Sequence, residues 1–306
     1  MDVVQLERFL RIDTVGSFRA ASRSLGLSQA ALSFSMQQLE SELGGPLFER
    51  SGSGARLSPL GVSLRARAQL IVAQVERMKE DAQVVLGRGS PHLNFGTTES
   101  LAVVAAQATG ALLTKIPNLA LRLSYADSDA LLHQLRTGQL DIVLCSPKSG
   151  ADISGLEFEP TYELRFVLAA RARHPIFRRG RPMTLDDAHE YGWIMHEGAS
   201  PLAATLDGQL SPHGLERRLR ARVPAHALTR SMILATDLLG YLVEDLIRDD
   251  LEQGSIRVID LKEITISARA GLMVRKGDTQ SRAATLLCRE LRLASRELRR
   301  RRPGYR

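Results

Sequence analysis

Residues 16–61 read GSFRAASRSLGLSQAALSFSMQQLESELGGPLFERSGSGARLSPLG, and the punctuation of this stretch decides how the chain begins to fold. Gly16-Ser17 interrupts a helical stripe of Leu6, Phe9 and Leu10, and Ser17 is placed to cap a short helix whose Phe18, Ala21 and Leu25 share a face. Gly26 ends that helix, because glycine enters the left-handed conformation of a tight turn without a Cβ penalty. Ser28 caps the next helix, Gln29 to about Leu43, which stops at Gly44-Gly45-Pro46. Leu32, Met36, Leu39 and Leu43 form its buried stripe, and Gln29, Ala30, Ser33, Phe34 and Gln37 face the other way. Leu47-Phe48-Glu49-Arg50 and Ala55-Arg56-Leu57 then flank Ser51-Gly52-Ser53-Gly54, which reads as two short strands around a flexible tip.

Two short helices joined by a glycine turn have helix-turn-helix geometry, which presents the start of the second helix to the major groove. Glutamine reaches adenine bidentately, serine reaches several bases, and an apolar side chain touches a thymine methyl. The helix N-terminus at Ser28 suits a phosphate, as do Arg50 and Arg56 on the wing. A small three-helix bundle with no nucleic-acid role has the same spacing, and net charge does not separate the two readings. The chain carries +7 overall, yet residues 1–60 hold six arginines against six acidic residues. Most of the excess lies in the last 18 residues, with eight arginines and two glutamates, either a solvated tail or a phosphate-binding arm.

From Val4 to Gly61 the stretch resembles the N-terminal signature of LysR-type transcriptional regulators: Ala20-Ala21, Leu27-Ser28-Gln29, Leu47-Phe48-Glu49-Arg50 and Leu57-Ser58-Pro59-Leu60-Gly61 all fit. The resemblance implies double-stranded promoter or operator DNA as a partner, read by Ser28, Gln29, Ala30, Ser33, Phe34, Gln37, Arg50 and Arg56. Three residues depart from the pattern. Phe34 stands where the family often has a polar residue or arginine, Ser53 where the wing often has arginine, and Ala30 where proline is common.

From Pro59 the sequence is helical to about Leu86, and Leu64, Ala68, Ile71, Val75, Met78, Ala82 and Val85 recur at alternating spacings of four and three. That is a heptad seam, and a narrow apolar stripe on a long helix needs another helix. The same helix of a second subunit is the expected partner, with packing on its own domain as the alternative. The resemblance implies a dimer through this linker and a tetramer through the C-terminal domains. Gly87-Arg88-Gly89-Ser90-Pro91 reads as a hinge.

The remaining chain alternates strand and helix: strands at 93–96, 120–125, 141–145, 164–169 and 193–195, helices from about 100 to Lys115 and over 128–136, 231–239 and 244–251, strands at 256–259, 267–270 and 271–274, and a closing helix over 282–298. This is α/β patterning with a mostly parallel sheet. Ligands of such sheets sit at the carboxyl ends of strands. There stand Thr98, Ser100, Ser128, Cys145 and Ser146, with ordinary helix capping as the alternative role for the hydroxyls. This half is similar to the effector-binding domain of the same family, which resembles periplasmic solute-binding proteins. The similarity rests on element order and on LHQLRTGQLDIVL, RHPI and ATDLLGYL. It implies two lobes, a chain crossing near 161–165 and a return near 265–270. An effector between the lobes, an organic acid or similar polar metabolite, would also meet His196 and Ser200.

The expected organisation is a winged helix-turn-helix over 1–58, a linker helix and hinge over 59–90, and an effector domain over 91–306. Lobe one would comprise 91–162 and 268–306, and lobe two 163–267. No phosphate-binding glycine loop, nucleophile elbow or Cys/His cluster of zinc spacing occurs, so neither an enzyme nor a metal or cofactor is expected. Cys145 as a nucleophile is the enzymatic alternative. The N-terminus lacks a signal pattern and no apolar run is long enough for a membrane span, so a cytoplasmic regulator is expected, with RNA polymerase as a partner if it activates.

Overall fold

The structure is a computed structural model, and it describes residues 1–51, 54–179, 181–196, 208, 211, 218–261 and 266–301. It divides into two units, Met1–His92 with His133–Leu140, and Leu93–Leu132 with Asp141–Arg306.

The first unit holds α1 (Val3–Val15), α2 (Phe18–Leu25), α3 (Gln29–Leu43), the hairpin β1 (Phe48–Ser51) and β2 (Gly54–Leu57), and α4 (Pro59–Val85). Each helix start is written in the chain. Asp2 and Gln5 form a capping box on α1, and Ser17, Ser28 and Ser58 accept from the backbone of Ala20, Ala31 and Gly61. Gly16, Gly26 and Gly44 end the first three helices at φ of 66–77°. Leu6, Phe9, Ile12, Ala21, Leu32, Met36 and Leu39 make the core, with Leu43 and Phe18 packed on it; Leu25, expected to share a face with Phe18 and Ala21, is exposed at the helix end. Phe48 carries the wing onto this core, its ring 5.6 Å from Phe9 and 5.3 Å edge-on from Phe18. The Ala55 N–H donates to the Gly16 carbonyl at 2.9 Å, tying β2 to the turn between α1 and α2.

Leu64 and Ala68, the first positions of the heptad seam, pack on this core, and Arg65 pairs with Asp13 of α1 at 2.9 Å. Beyond them Val75 is half-buried, while Ile71, Met78, Ala82 and Val85 are exposed. The seam therefore serves two surfaces: its first turns close the unit's own core and its later turns face outward.

In the second unit, β3 (His92–Thr97), β4 (Ala120–Tyr125) and β5 (Ile142–Cys145) alternate with α5 (Ala102–Lys115) and with α6 (Ser128–Arg136), whose residues from His133 group with the first unit. Next come β6 (Leu156–Arg171), α7 (Leu185–His189), β7 (Trp193–His196), β8 (Leu219–Val223), α8 (His226–Ala235) and β9 (Leu239–Val243). The last elements are α9 (Arg248–Gln253), β10 (Ile256–Val258), β11 (Ile266–Arg275) and α10 (Arg282–Arg300). Among the described residues the sheet order is β4-β3-β5-β11-β6-β9-β7-β8, with β10 on β6. Two parallel groups, β3 with β5 and β9-β7-β8, flank the antiparallel pair β11 and β6.

The strand alternation allots residues to separate cores. Along β6, Tyr162 and Leu164 join the core under α5 and α10, Leu168 and Ala170 join the core over α7, and Ala169 points to the opposite face with Ile194, Ile233 and Leu242. Four expectations are corrected. The sheet is mixed and not mostly parallel, because its longest ladder, β11 on β6, is antiparallel. β6 starts eight residues earlier than the expected strand, because Pro160 sits at an irregularity rather than ending the strand. The two expected strands at 267–274 are one, β11, kinked between Ala270 and Gly271, where Gly271 faces Pro160 and Thr161 is the extra residue. The helix expected over 231–239 is α8, beginning at His226 and ending at Ala235, and Leu239–Val243 is a fully buried strand. A short apolar run buried on both faces carries no alternation to separate strand from helix.

Two glycines give opposite expectations. A Cβ on Gly61 would stand 2.2 Å from the Leu47 carbonyl oxygen, whereas one on Gly110 of α5 would meet nothing within 4 Å. Gly61→Ala is expected to lower stability by about 1–3 kcal/mol, and Gly110→Ala to raise it by about 0.5–1 kcal/mol. Denaturant unfolding of both variants checks this.

Candidate functional site

The exposed face of α3 borders an open groove of roughly 850 Å³ lined by Gln29, Ser33, Gln37, Glu49, Gly54 and Ser58 among others. Ser28, Gln29, Ala30 and Gln37 are exposed, Ser33 is half-buried, and Phe34 is 65% exposed. Arg56 is exposed on β2, while the Arg50 side chain and Ser53 lie outside the described residues. Sequence reasoning passed over Arg19 and Arg23, exposed one turn apart on α2. Their spacing was available as a signal, but the balanced charge of the first sixty residues hid it.

In the second unit the carboxyl ends of β3 and β5 lie side by side, with Thr97 opposite Leu144. Thr98 precedes a 3-10 turn, Glu99–Leu101, without capping it through its side chain. Asp127, not Ser128, caps α6 by accepting from Ala130 at 2.9 Å. The Ser128 hydroxyl donates to the Ser146 carbonyl at 2.9 Å, and the Ser146 hydroxyl to the Arg269 carbonyl on β11 at 2.8 Å. These two hydroxyls tie α6, β5 and β11 together. Cys145 is fully buried, and burial pushes its thiol up to about 12, so at neutral pH it carries no thiolate. Ser200 lies outside the described residues.

Opposite these strand ends stand His196, the last residue of β7, and His226, the first residue of α8. The structure brings both onto Ser100 and onto Glu99, which the sequence did not single out. Ser100 Oγ and His226 Nε2 are 3.2 Å apart, and His196 Nε2 is 3.5 Å from Glu99 Oε2. The α8 N-cap is Ala225, whose side chain cannot cap, and Glu99 Oε1 accepts from the His226 N–H at 3.0 Å in its place. The two imidazoles stack with centroids 4.5 Å apart. Burial lowers the His226 pKa to about 4, helped by the neighbouring His196 and opposed by Glu99. His226 is therefore neutral at physiological pH. His226 escaped sequence reasoning because its helix was placed to begin five residues later.

The start of β7 is anchored to α7. Trp193 Nε1 donates to the Ala188 carbonyl of α7 at 3.0 Å, and Asp187, the buried third residue of α7, accepts from Arg181 at 2.7 Å, from the Thr184 N–H at 2.9 Å, and from Arg179.

A winged helix-turn-helix followed by a two-sided α/β domain with polar groups gathered between its halves defines a ligand-responsive transcription regulator. Residues 3–62 match the model of the bacterial regulatory helix-turn-helix protein, lysR family, and residues 87–295 match the LysR substrate binding domain. The chain belongs to the LysR family and is a DNA-binding transcriptional regulator with an effector-binding domain. It is 24% identical over 295 residues to the HTH-type transcriptional regulator PcaQ of Agrobacterium fabrum, covering 96% of this chain and 94% of that one. Its fold is similar to full-length LysG from Corynebacterium glutamicum with bound effector Arg (TM-score 0.67, 21% identity, covering 97% and 99%). It is likewise similar to full-length CbnR complexed with target DNA (TM-score 0.64, 18% identity, covering 96% and 100%). No helix among the described residues is long and apolar enough to cross a membrane.

Arg181, the Thr184 cap and Arg179 together hold the Asp187 carboxyl down at about 2. A carboxylate depressed by folding contributes stability that is present above its unfolded pKa of about 3.9 and is lost as pH falls toward the folded value. Between about pH 4 and pH 2 the wild type is expected to lose on the order of 2 kcal/mol that Asp187→Asn does not lose. Unfolding followed by the single tryptophan, Trp193, across that range compares the two.

Proposed function

We propose that this regulator binds operator DNA as a dimer that assembles to a tetramer, and that a polar metabolite, an organic acid in class, binds between two lobes of its C-terminal domain. The observation that carries the reading is the exposed start of α3 beside the wing. Gln29, Ser33, Phe34 and Gln37 read base edges, Ala30 packs close to them, Ser28 opens the helix toward a phosphate, and Arg50 and Arg56 hold phosphates from the wing. Phe34, 65% exposed, offers its ring to a thymine methyl. Arg19 and Arg23 add phosphate contacts from α2.

Ile71, Val75, Met78, Ala82 and Val85 form the dimer seam of α4, with Leu64 and Ala68 closing the monomer's own core. Segment 1–58 is the DNA-binding domain, 59–90 the linker and hinge, and 91–306 the effector domain. Its chain crosses between lobes at the Thr161 irregularity of β6 and returns along β11. The effector meets Thr98, Ser100, Ser128, Ser146, His196 and Ser200, with buried Cys145 behind them. Effector binding shifts the populations of lobe arrangements and so the placement of the paired DNA-binding domains. The protein works in the cytoplasm, performs no catalysis, and engages RNA polymerase where it activates.

Footprinting on the upstream intergenic region across a salt series tests this reading. Two protected half-sites spaced by whole helical turns are expected, and no protection even at low salt overturns it. Arg56→Ala is expected to weaken binding on all sequences and to reduce the salt slope by about one unit. Gln29→Ala is expected to relax preference at one base position, which a selection among randomised sites measures.

A further inference from the structure

The cluster between the two halves of the sheet has the make-up of a metal site. Glu99, His196 and His226 each offer one ligand atom, and the three atoms lie within 4.8 Å of one another. A zinc ion about 2.1 Å from each ligand separates two tetrahedral ligands by about 3.4 Å. His196 Nε2 and Glu99 Oε2 are 3.5 Å apart, long for a hydrogen bond and right for two ligands of one ion. His226 is 6% exposed, and its Nδ1 is buried without a hydrogen-bond partner. An orphaned imidazole nitrogen in a polar cluster is costly, and a cation removes that cost.

The supporting groups fit as well. Metal-bound histidines hold their second ring nitrogen in a hydrogen bond, and Ser100 Oγ stands 3.2 Å from His226 Nε2. The Glu99 oxygen that faces away from His196 is held by the His226 N–H at 3.0 Å. Two imidazoles and one carboxylate suit a borderline divalent transition metal and not magnesium or calcium, which prefer all-oxygen sets.

We propose that Glu99, His196 and His226 bind a divalent transition-metal ion of the zinc class in the cleft. Three protein ligands leave a fourth position open to water or to a carboxylate oxygen of the effector. The two imidazoles stack with planes 17° apart, so binding turns the rings out of this stack until one nitrogen of each points at the ion. Glu99 comes from the β3 side and both histidines from the β7 and α8 side, so the ion joins the two halves of the domain. No spacing motif announces the site, because its ligands are 97 and 30 residues apart in the chain.

The proposal rests on the reading of this cleft as the effector site, and the test separates the two. Full-length protein stripped with a chelator is titrated with zinc chloride alone by calorimetry, and with cobalt chloride by visible absorption. One ion per chain and the intense bands of low-coordinate cobalt are expected. Glu99→Gln and His196→Gln are each expected to weaken binding by more than about tenfold, and Ser100→Ala, which touches no ion, by roughly tenfold. Metal-free melting curves matching the wild type show that the variants fold. No stoichiometric zinc binding, or binding that the Glu99 and His196 variants leave unchanged, overturns the proposal. The footprint is then repeated with and without zinc. If the ion binds through these residues while neither zinc nor an organic acid alters the footprint, the metal site stands and the effector reading falls. If zinc does not bind while an organic acid alters the footprint, the effector reading stands and the metal site falls.

Discussion

The antiparallel ladder of β6 and β11 is the constraint on which the C-terminal half depends. Ten residues of β11 pair with β6 from Leu156 to Phe166, through a single irregularity at Thr161. A strand of 16 residues, as β6 is, spans about 50 Å, more than one sheet layer of a small lobe needs. One strand can therefore serve two hydrophobic cores, contributing Tyr162 and Leu164 to one and Leu168 and Ala170 to another. The parallel strands on either side, β3-β5 and β9-β7-β8, each require helical crossovers, and these cover the two faces. The carboxyl ends of the two parallel groups then meet near the middle of the ladder.

This meeting explains why the polar residues collect where they do. Glu99 follows β3, His196 ends β7, and His226 opens the helix between β8 and β9. Each stands at a chain reversal, where backbone groups lack ladder partners and side chains substitute for them. Glu99 caps α8 because Ala225 cannot. The cluster is thus structural and ligand-ready at once: its hydrogen bonds join the two halves, and its incompletely satisfied nitrogen leaves it open to a cation or an anion carrier.

The N-terminal unit follows a different economy. Its first three helices are short, and isolated helices of 8 to 15 residues are marginal in water, so caps and tertiary packing decide whether they form. Serines supply three of the caps and three aromatic rings, Phe9, Phe18 and Phe48, lock the wing to the helices. Helix α3 can leave a large side chain such as Phe34 in water because Leu32, Met36 and Leu39 on its other face already anchor it.

By itself the sequence determined the first eighty-five residues almost element by element. Its signals there are local: a capping serine, a left-handed glycine and a helical stripe act within one or two turns. It also determined the α/β class and the polar strand ends at Thr98, Ser128 and Ser146, since strand, turn and helix punctuation is again local. Only the tertiary structure decided that β6 runs through Pro160 and that Leu239–Val243 is a strand. Those outcomes depend on what lies opposite in the sheet. Only the fold brought Glu99 to His196 and His226, because a hundred intervening residues carry no record of which chain reversals will face one another. The heptad seam of α4 lies between these cases. Its period was legible, but its division into a core half and an exposed half followed from where α1 packs.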